Sequence, residues 1–143
     1  MQKVDISDDK SKLDVKKIHA FLTSESKWAK GISIDTVHQS IENSICIGAY
    51  VEGVQVGFSR IITDQATFAN LVDVIVWPEF RGKGISKQLM DAVLSHGSVR
   101  NVRRFTLATS DAHGLYKKFG FTSLNKPNTF MEIYKPDIYK AAL

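Results

Sequence analysis

Arg81, Gly82, Lys83 and Gly84 put two cations and two glycines side by side, between an apolar run (71–77) and a helical pattern that opens at Ile85 and Ser86. Glycines there remove Cβ atoms where a backbone must turn sharply or approach a ligand closely, and the first N–H groups of the helix lack intrahelical partners. Free donors at the positive end of a helix dipole suit a phosphate anion. Arg81 adds a planar fork and Lys83 a mobile point charge. Two familiar nucleotide motifs fail on this sequence. A dinucleotide fingerprint needs glycine where Lys87 stands, and a Walker A loop needs Gly-Lys-Ser/Thr where Gly82-Lys83-Gly84 stands. A Gly-x-Gly turn alone also occurs in many loops, so these residues by themselves read as a candidate phosphate site or as an ordinary turn.

The preceding run holds one anomaly, Asp73 among Leu71, Val72, Val74 and Ile75. Burial would raise its proton affinity toward the range useful in a general base, whereas a nearby Arg60 would lower it and make the pair structural. Glu79 and His113 are further candidate bases, and the residues alone leave the base unassigned. Tyr116 has a phenol that can give up a proton, and it also falls on an apolar helix face where it could simply pack.

The motif at Arg81-Gly82-Lys83-Gly84-Ile85-Ser86, preceded by Val76-x-Pro78, is similar to the Arg/Gln-x-x-Gly-x-Gly/Ala signature of the GNAT superfamily of acetyl-CoA-dependent N-acetyltransferases. Downstream, Leu115-Tyr116-Lys117-Lys118-Phe119-Gly120-Phe121 resembles the family's Leu/Phe-Tyr-x-x-x-Gly-Phe block. The two blocks stand in the family's order, and the resemblance covers about residues 57–121. Ser86 departs from the signature's final Gly/Ala, with a hydroxyl that could itself donate to a phosphate.

The resemblance implies acetyl-CoA as co-substrate, held by Val74, Ile75, Val76, Arg81, Gly82, Lys83, Gly84, Ile85 and Ser86. It implies direct acetyl transfer to a primary amine. A backbone N–H near Ile75 or Val76 would meet the oxyanion, and Tyr116 would protonate the leaving thiolate, with Asp73 as a candidate base or water-ordering group. The acceptor side would draw on Trp28, Arg60, Asp64 and Phe130. The acceptor is a small molecule or a peptide, of unidentified class. The rival reading is a non-catalytic acyl-CoA sensor or interaction module that keeps the turn without the chemistry.

Positioning these groups takes a series of short elements. An extended segment near 4–6 precedes a helix built on Leu13, Ile18, Phe21 and Leu22; a polar loop (23–31) follows, and Asp35 can cap a second helix through about Asn43. Residues 45–52 and 55–63 read as strands joined in a hairpin at Glu52-Gly53, and 68–77 as a longer strand apolar at both parities, hence covered on both faces. The helix after the glycine turn should end at His96-Gly97, and 105–109 should form a strand parallel to 68–77. Asp111 can cap a last helix that Gly120 terminates, before a closing strand pair at 121–124 and 129–134. The expected fold class is α/β in the mixed α+β sense: a GNAT-like acyl-CoA N-acyltransferase fold, with a central mixed antiparallel and parallel sheet flanked by helices.

With 143 residues, 43% of them hydrophobic, residues 1–143 fit one domain with one ordinary core. The net charge of +4 agrees with an anionic co-substrate, but the cations are scattered, so nucleic acid is not an expected partner. Cys46 is the only cysteine, which excludes an intramolecular disulfide, and the four histidines lack zinc spacing, so no metal is expected. No stretch has the length of a membrane span or the apolar core of a signal peptide, and a cytoplasmic protein is the expectation. A homodimer stays open.

Overall fold

A computed structural model describes residues 2–140. In chain order it holds β1 (Asp5–Ser7), α1 (Val15–Ser24), α2 (Ile34–Glu42), β2 (Ile45–Val51), β3 (Val54–Thr63), β4 (Phe68–Val76), α3 (Ile85–Ser95), β5 (Arg104–Leu107) and α4 (His113–Lys117). The strands form one sheet in the order β1-β2-β3-β4-β5, antiparallel except for the last pair. The mixed sheet, its parallel final pair and the crossover through α3 are those expected from the sequence.

Helices cover both faces. On one, Ile85, Leu89, Met90 and Val93 of α3 pack on Ile47, Ala49, Ile61, Ala69 and Leu71. On the other, Ile18, Phe21 and Leu22 of α1 and Val37 and Ile41 of α2 enclose Cys46, Phe58, Ile75 and Trp77. The α3 layer sits close, since a Cβ on Gly57 would lie 3.0 Å from Leu89 Cδ1 and 3.2 Å from Ile85 Cγ2. Cys46 is buried, and burial pushes its thiol up to about 11, so it stays an inert thiol at neutral pH.

The assignments show why β4 is apolar at both parities. Ala69 and Leu71 belong to the α3 side, whereas Ile75 and Trp77, of the same parity, belong to the α1–α2 side. A β-bulge between them reverses the faces: Arg60 pairs with Val72 and Phe58 with Ile75, so Asp73 and Val74 together oppose Ser59. Asp73 takes a left-handed backbone, with φ of 51°. The β2–β3 hairpin closes on Glu52 and Gly53 at φ of 50° and 80°, the primed turn that suits strand twist.

Several boundaries differ from the sequence reading. Ser33, not Asp35, caps α2 by accepting from the Thr36 amide, and Asp35 lies in its first turn. Helix α3 ends on an extended His96, and Gly97 is not left-handed. Asp111 does not cap α4; its N-cap position is Ala112, whose amide donates to Thr109 Oγ1 instead. Gly120, at φ of 96°, ends that helix as expected.

The largest difference lies at the carboxyl end. Among the described residues none beyond Leu107 is in a strand, so the strand pair at 121–124 and 129–134 does not form. Pro127 nucleates a single 3-10 turn (Pro127–Thr129) in place of a hairpin turn. The chain then continues without a partner, leaving Met131 and Ile133 97% and 93% exposed.

Candidate active site

The turn after β4 is built to offer N–H groups. Gly82 and Gly84 both adopt φ near 80° (77° and 79°), a region that costs any residue with a Cβ. Gly84 is the N-cap of α3 and brings no capping side chain, so the first-turn amides of an eleven-residue helix stay free for an anion. Arg81 Nε donates to the Val76 carbonyl at 2.9 Å, which pins the guanidinium to the end of β4 and leaves its two terminal nitrogens available. Lys83 Nζ stands 5.6 Å from the Phe80 ring centroid.

Beside this turn the sheet opens. The β4–β5 ladder runs only from Phe68↔Arg104 to Leu71↔Leu107, while β4 continues to Val76. The Trp77 amide bonds the Val56 carbonyl at 3.1 Å, so alternation along the strand directs Ile75 toward β3 and turns the Val76 amide the other way, into the opening. The Val76 carbonyl, held by Arg81, points to the same side.

On the opposite face three of the expected residues meet. Arg60 Nε donates to Asp73 Oδ2 at 2.9 Å, with the two side chains 14% and 10% exposed, and Trp28 Nε1 donates to Asp73 Oδ1 at 2.9 Å. Arg60 also reaches Ser44 Oγ at 2.9 Å. Both Asp73 oxygens are thus engaged, and the carboxylate ties the α1–α2 loop and β3 to the bulge. The Trp28 ring is half exposed and stands 6.4 Å from Phe21. Nothing in the sequence singles out Ser44.

The energetics of this cluster are testable. Removing one partner of a buried pair strands the other charge, at a cost of about 3 kcal/mol. Asp73→Gly, which loses the pair without backbone strain, should lower the unfolding free energy by about that amount in urea titrations. Asp73→Ala should lose about 1 kcal/mol more, because alanine at φ of 51° is strained. A loss well under 1 kcal/mol for both variants would mean that the pair holds nothing together.

Tyr116 stands after the carboxyl end of β5, at the same end of the parallel pair as the glycine turn. Its ring packs edge-on against Phe121 at 6.0 Å. Burial raises the phenol above its ordinary value, as does the Asp111 charge to a smaller degree, so it is a neutral acid at physiological pH. Tyr116 and His113 line a cavity of about 730 Å³ together with every residue from Arg103 to Thr109 and the chain from Phe119 to Asn125. Successive residues of β5 face alternate sides, and no residue of β1–β4 lines the cavity, so it runs along the outer edge of β5.

Two acceptor candidates fall elsewhere. Asp64 lies in the β3–β4 turn, accepting bonds from the amides of Ala66, Thr67 and Phe68 and from the Thr67 hydroxyl. The Thr67 hydroxyl and these amides hold its carboxyl well below the usual carboxylate range. Phe130 sits with Arg104 over its ring at 5.0 Å, near the start of β5. Both are at the amino ends of β4 and β5, away from the glycine turn. Glu79 lies in the 3-10 turn Pro78–Phe80. Among the described residues no cluster of acidic, histidine or cysteine side chains could hold a metal, and no helix is long and apolar enough to cross a membrane.

The family model described as an acetyltransferase (GNAT) domain matches residues 42–123, which span β2 to the end of the Tyr116 block. A protein of Gibberella zeae named as an acetyltransferase is 31% identical, the match covering 79% of this chain and 75% of the relative. A crystal structure from Xanthomonas campestris pv. campestris, described as an acetyltransferase of the GNAT family, is 50% identical, superposes with a TM-score of 0.95, and is matched over 97% of this chain and 98% of its own. An acetyltransferase structure from Deinococcus radiodurans R1 has a TM-score of 0.73 at 16% identity, over 96% and 95% of the two chains, and at that identity the likeness concerns the fold alone.

Proposed function

Since the chain belongs to the GNAT family of N-acetyltransferases, we propose that it transfers acetyl directly from acetyl-CoA to a primary amine. The observation that carries this reading is the uncapped amino end of α3, entered through two left-handed glycines and set beside the opening between β4 and β5. Main-chain donors at Gly82 to Ser86, with Arg81 and Lys83 around them, suit the CoA pyrophosphate. Acetyl-CoA supplies the activated thioester.

In the reaction the amine nitrogen forms a bond to the thioester carbonyl carbon and the carbon–sulfur bond breaks. The Val76 amide, turned into the opening, is the donor we assign to the developing oxyanion, a contribution worth ~10²–10³ in rate. Tyr116 gives its phenolic proton to the leaving thiolate and regains one from solvent. Asp73, with both oxygens engaged, acts as a positioning residue that holds the bulge; the amine proton leaves through water. Trp28, half exposed and fixed by Asp73, supplies an aromatic wall for the acceptor.

The test is CoA release from acetyl-CoA against a panel of amines, with acetyl-CoA binding measured in parallel. Release that depends on the acceptor establishes the transferase and names its acceptor class. Tight binding without release from any amine would favour a sensor, and no binding would end the assignment.

A further inference from the structure

The direction of the Val76 amide depends on the bulge. Along β3, Phe58, Arg60 and Ile62 address β4 with the same side of the backbone, and their partners there are Ile75, Val72 and Asn70. The residues of β4 that bond β3 are therefore even-numbered before the bulge and odd-numbered after it. Without the extra residue Val76 would turn its amide to β3; with it, the amide faces the opening. The left-handed backbone of Asp73, at φ of 51°, thus decides where the donor assigned to the oxyanion points.

Asp73 does not hold that conformation alone. Its carboxylate is gripped by Arg60 Nε and Trp28 Nε1, both at 2.9 Å. Arg60 is anchored in turn: its Nη1 donates to Ser44 Oγ at 2.9 Å, and the buried Ser44 hydroxyl gives its own proton to the Ser40 carbonyl at 2.6 Å. Ser44 therefore has one proton committed to α2 and a lone pair committed to the guanidinium. A planar fork can span Ser44 and Asp73 at once, which a single ammonium cannot. We propose that Ser44 and Arg60 are positioning residues for acetyl transfer, fixing the bulge at Asp73 and through it the Val76 amide. The relay begins at the end of α2 and finishes on the indole of the α1–α2 loop, so the layer over this face sets a main-chain donor in the sheet. The effect on transfer rests on the oxyanion role proposed for Val76, whereas the control of the bulge does not.

Two readouts separate these. Amide proton and nitrogen resonances of residues 73–76 report the bulge without any turnover, and steady-state kinetics with acetyl-CoA and the best amine of the panel report the chemistry. In Ser44→Ala those resonances should shift and kcat should fall ~10-fold, a part of the ~10²–10³ that an oxyanion donor is worth, with acetyl-CoA binding unchanged. Ser44→Thr keeps the hydroxyl and should restore both. Arg60→Lys keeps the charge without the fork and should behave like Ser44→Ala, and it decides by the same readouts if Ser44→Ala fails to fold. Unmoved resonances at 73–76 overturn the relay, and a kcat that stays at the wild-type value while they move overturns the positioning role. A wild type that binds acetyl-CoA and releases no CoA to any amine overturns the oxyanion role and the positioning role with it, and the resonances then still decide whether Ser44 sets the bulge.

Discussion

Gly84→Glu is expected to abolish acetyl-CoA binding while the fold survives. Two effects act in the same direction. The residue must adopt φ of 79°, where a side chain costs about 1–2 kcal/mol, and no atom lies within 4 Å of the added Cβ, so the strain is not compounded by a clash. The new carboxylate also stands at the free amides of α3, the place a pyrophosphate would take. Together these should weaken binding by at least ~100-fold, equivalent to about 3 kcal/mol, as read by calorimetry. Gly53→Glu is the control, since Gly53 is equally left-handed at φ of 80° in the β2–β3 turn and has no anion site beside it. Equal loss of binding in both variants would refute the assigned turn.

Tyr116→Phe should lower turnover by ~10²-fold or more, the scale of a lost general acid, with acetyl-CoA binding unchanged. Phenylalanine keeps the edge-on contact with Phe121 and removes only the proton. The pH dependence follows from burial. The folded phenol titrates above its ordinary 10.0, so the acid form persists through neutral pH and activity should decline only as pH rises past that value. The same shift contributes stability that is fully present below pH 10.0 and lost as pH climbs through the raised value, a contribution the phenylalanine variant lacks. Unchanged turnover in Tyr116→Phe would reduce the residue to packing.

The parts legible in the sequence were those encoded by neighbours in the chain. The glycine turn, the Glu52-Gly53 hairpin and the strand, helix, strand order around α3 each depend on a few adjacent residues, and all stand as expected. The bulge left a signal of a different kind: apolar groups at both parities of 68–77 read as two covered faces, and the cause is a reversal of faces at Asp73. Of the partners of Asp73, Arg60 was expected and stands in place, whereas Trp28 could not be read, because it lies 45 residues away and donates through its indole. Capping was ambiguous where Ser33 and Asp35 compete within one turn. The closing strands failed for a more general reason. The apolar groups Phe130, Met131, Ile133 and Tyr134 announce a segment suited to a strand, but such composition carries no information about whether a pairing edge lies within reach.

The opening between β4 and β5 also bears on how firmly the middle of the sheet is fastened. From Ala69 to Leu71, β4 is laced on both edges; from Val72 onward it is held in the sheet only by β3, and that seam is itself interrupted at Asp73 and Val74. The carboxyl half of the strand that carries the proposed chemistry is therefore fastened within the sheet along one edge alone, and the Arg60–Asp73 bridge acts as a rivet across that seam. A ligand seated in the gap would take the place of a neighbouring strand there, so binding and the fastening of this half of β4 are one event, like the closing of a zipper.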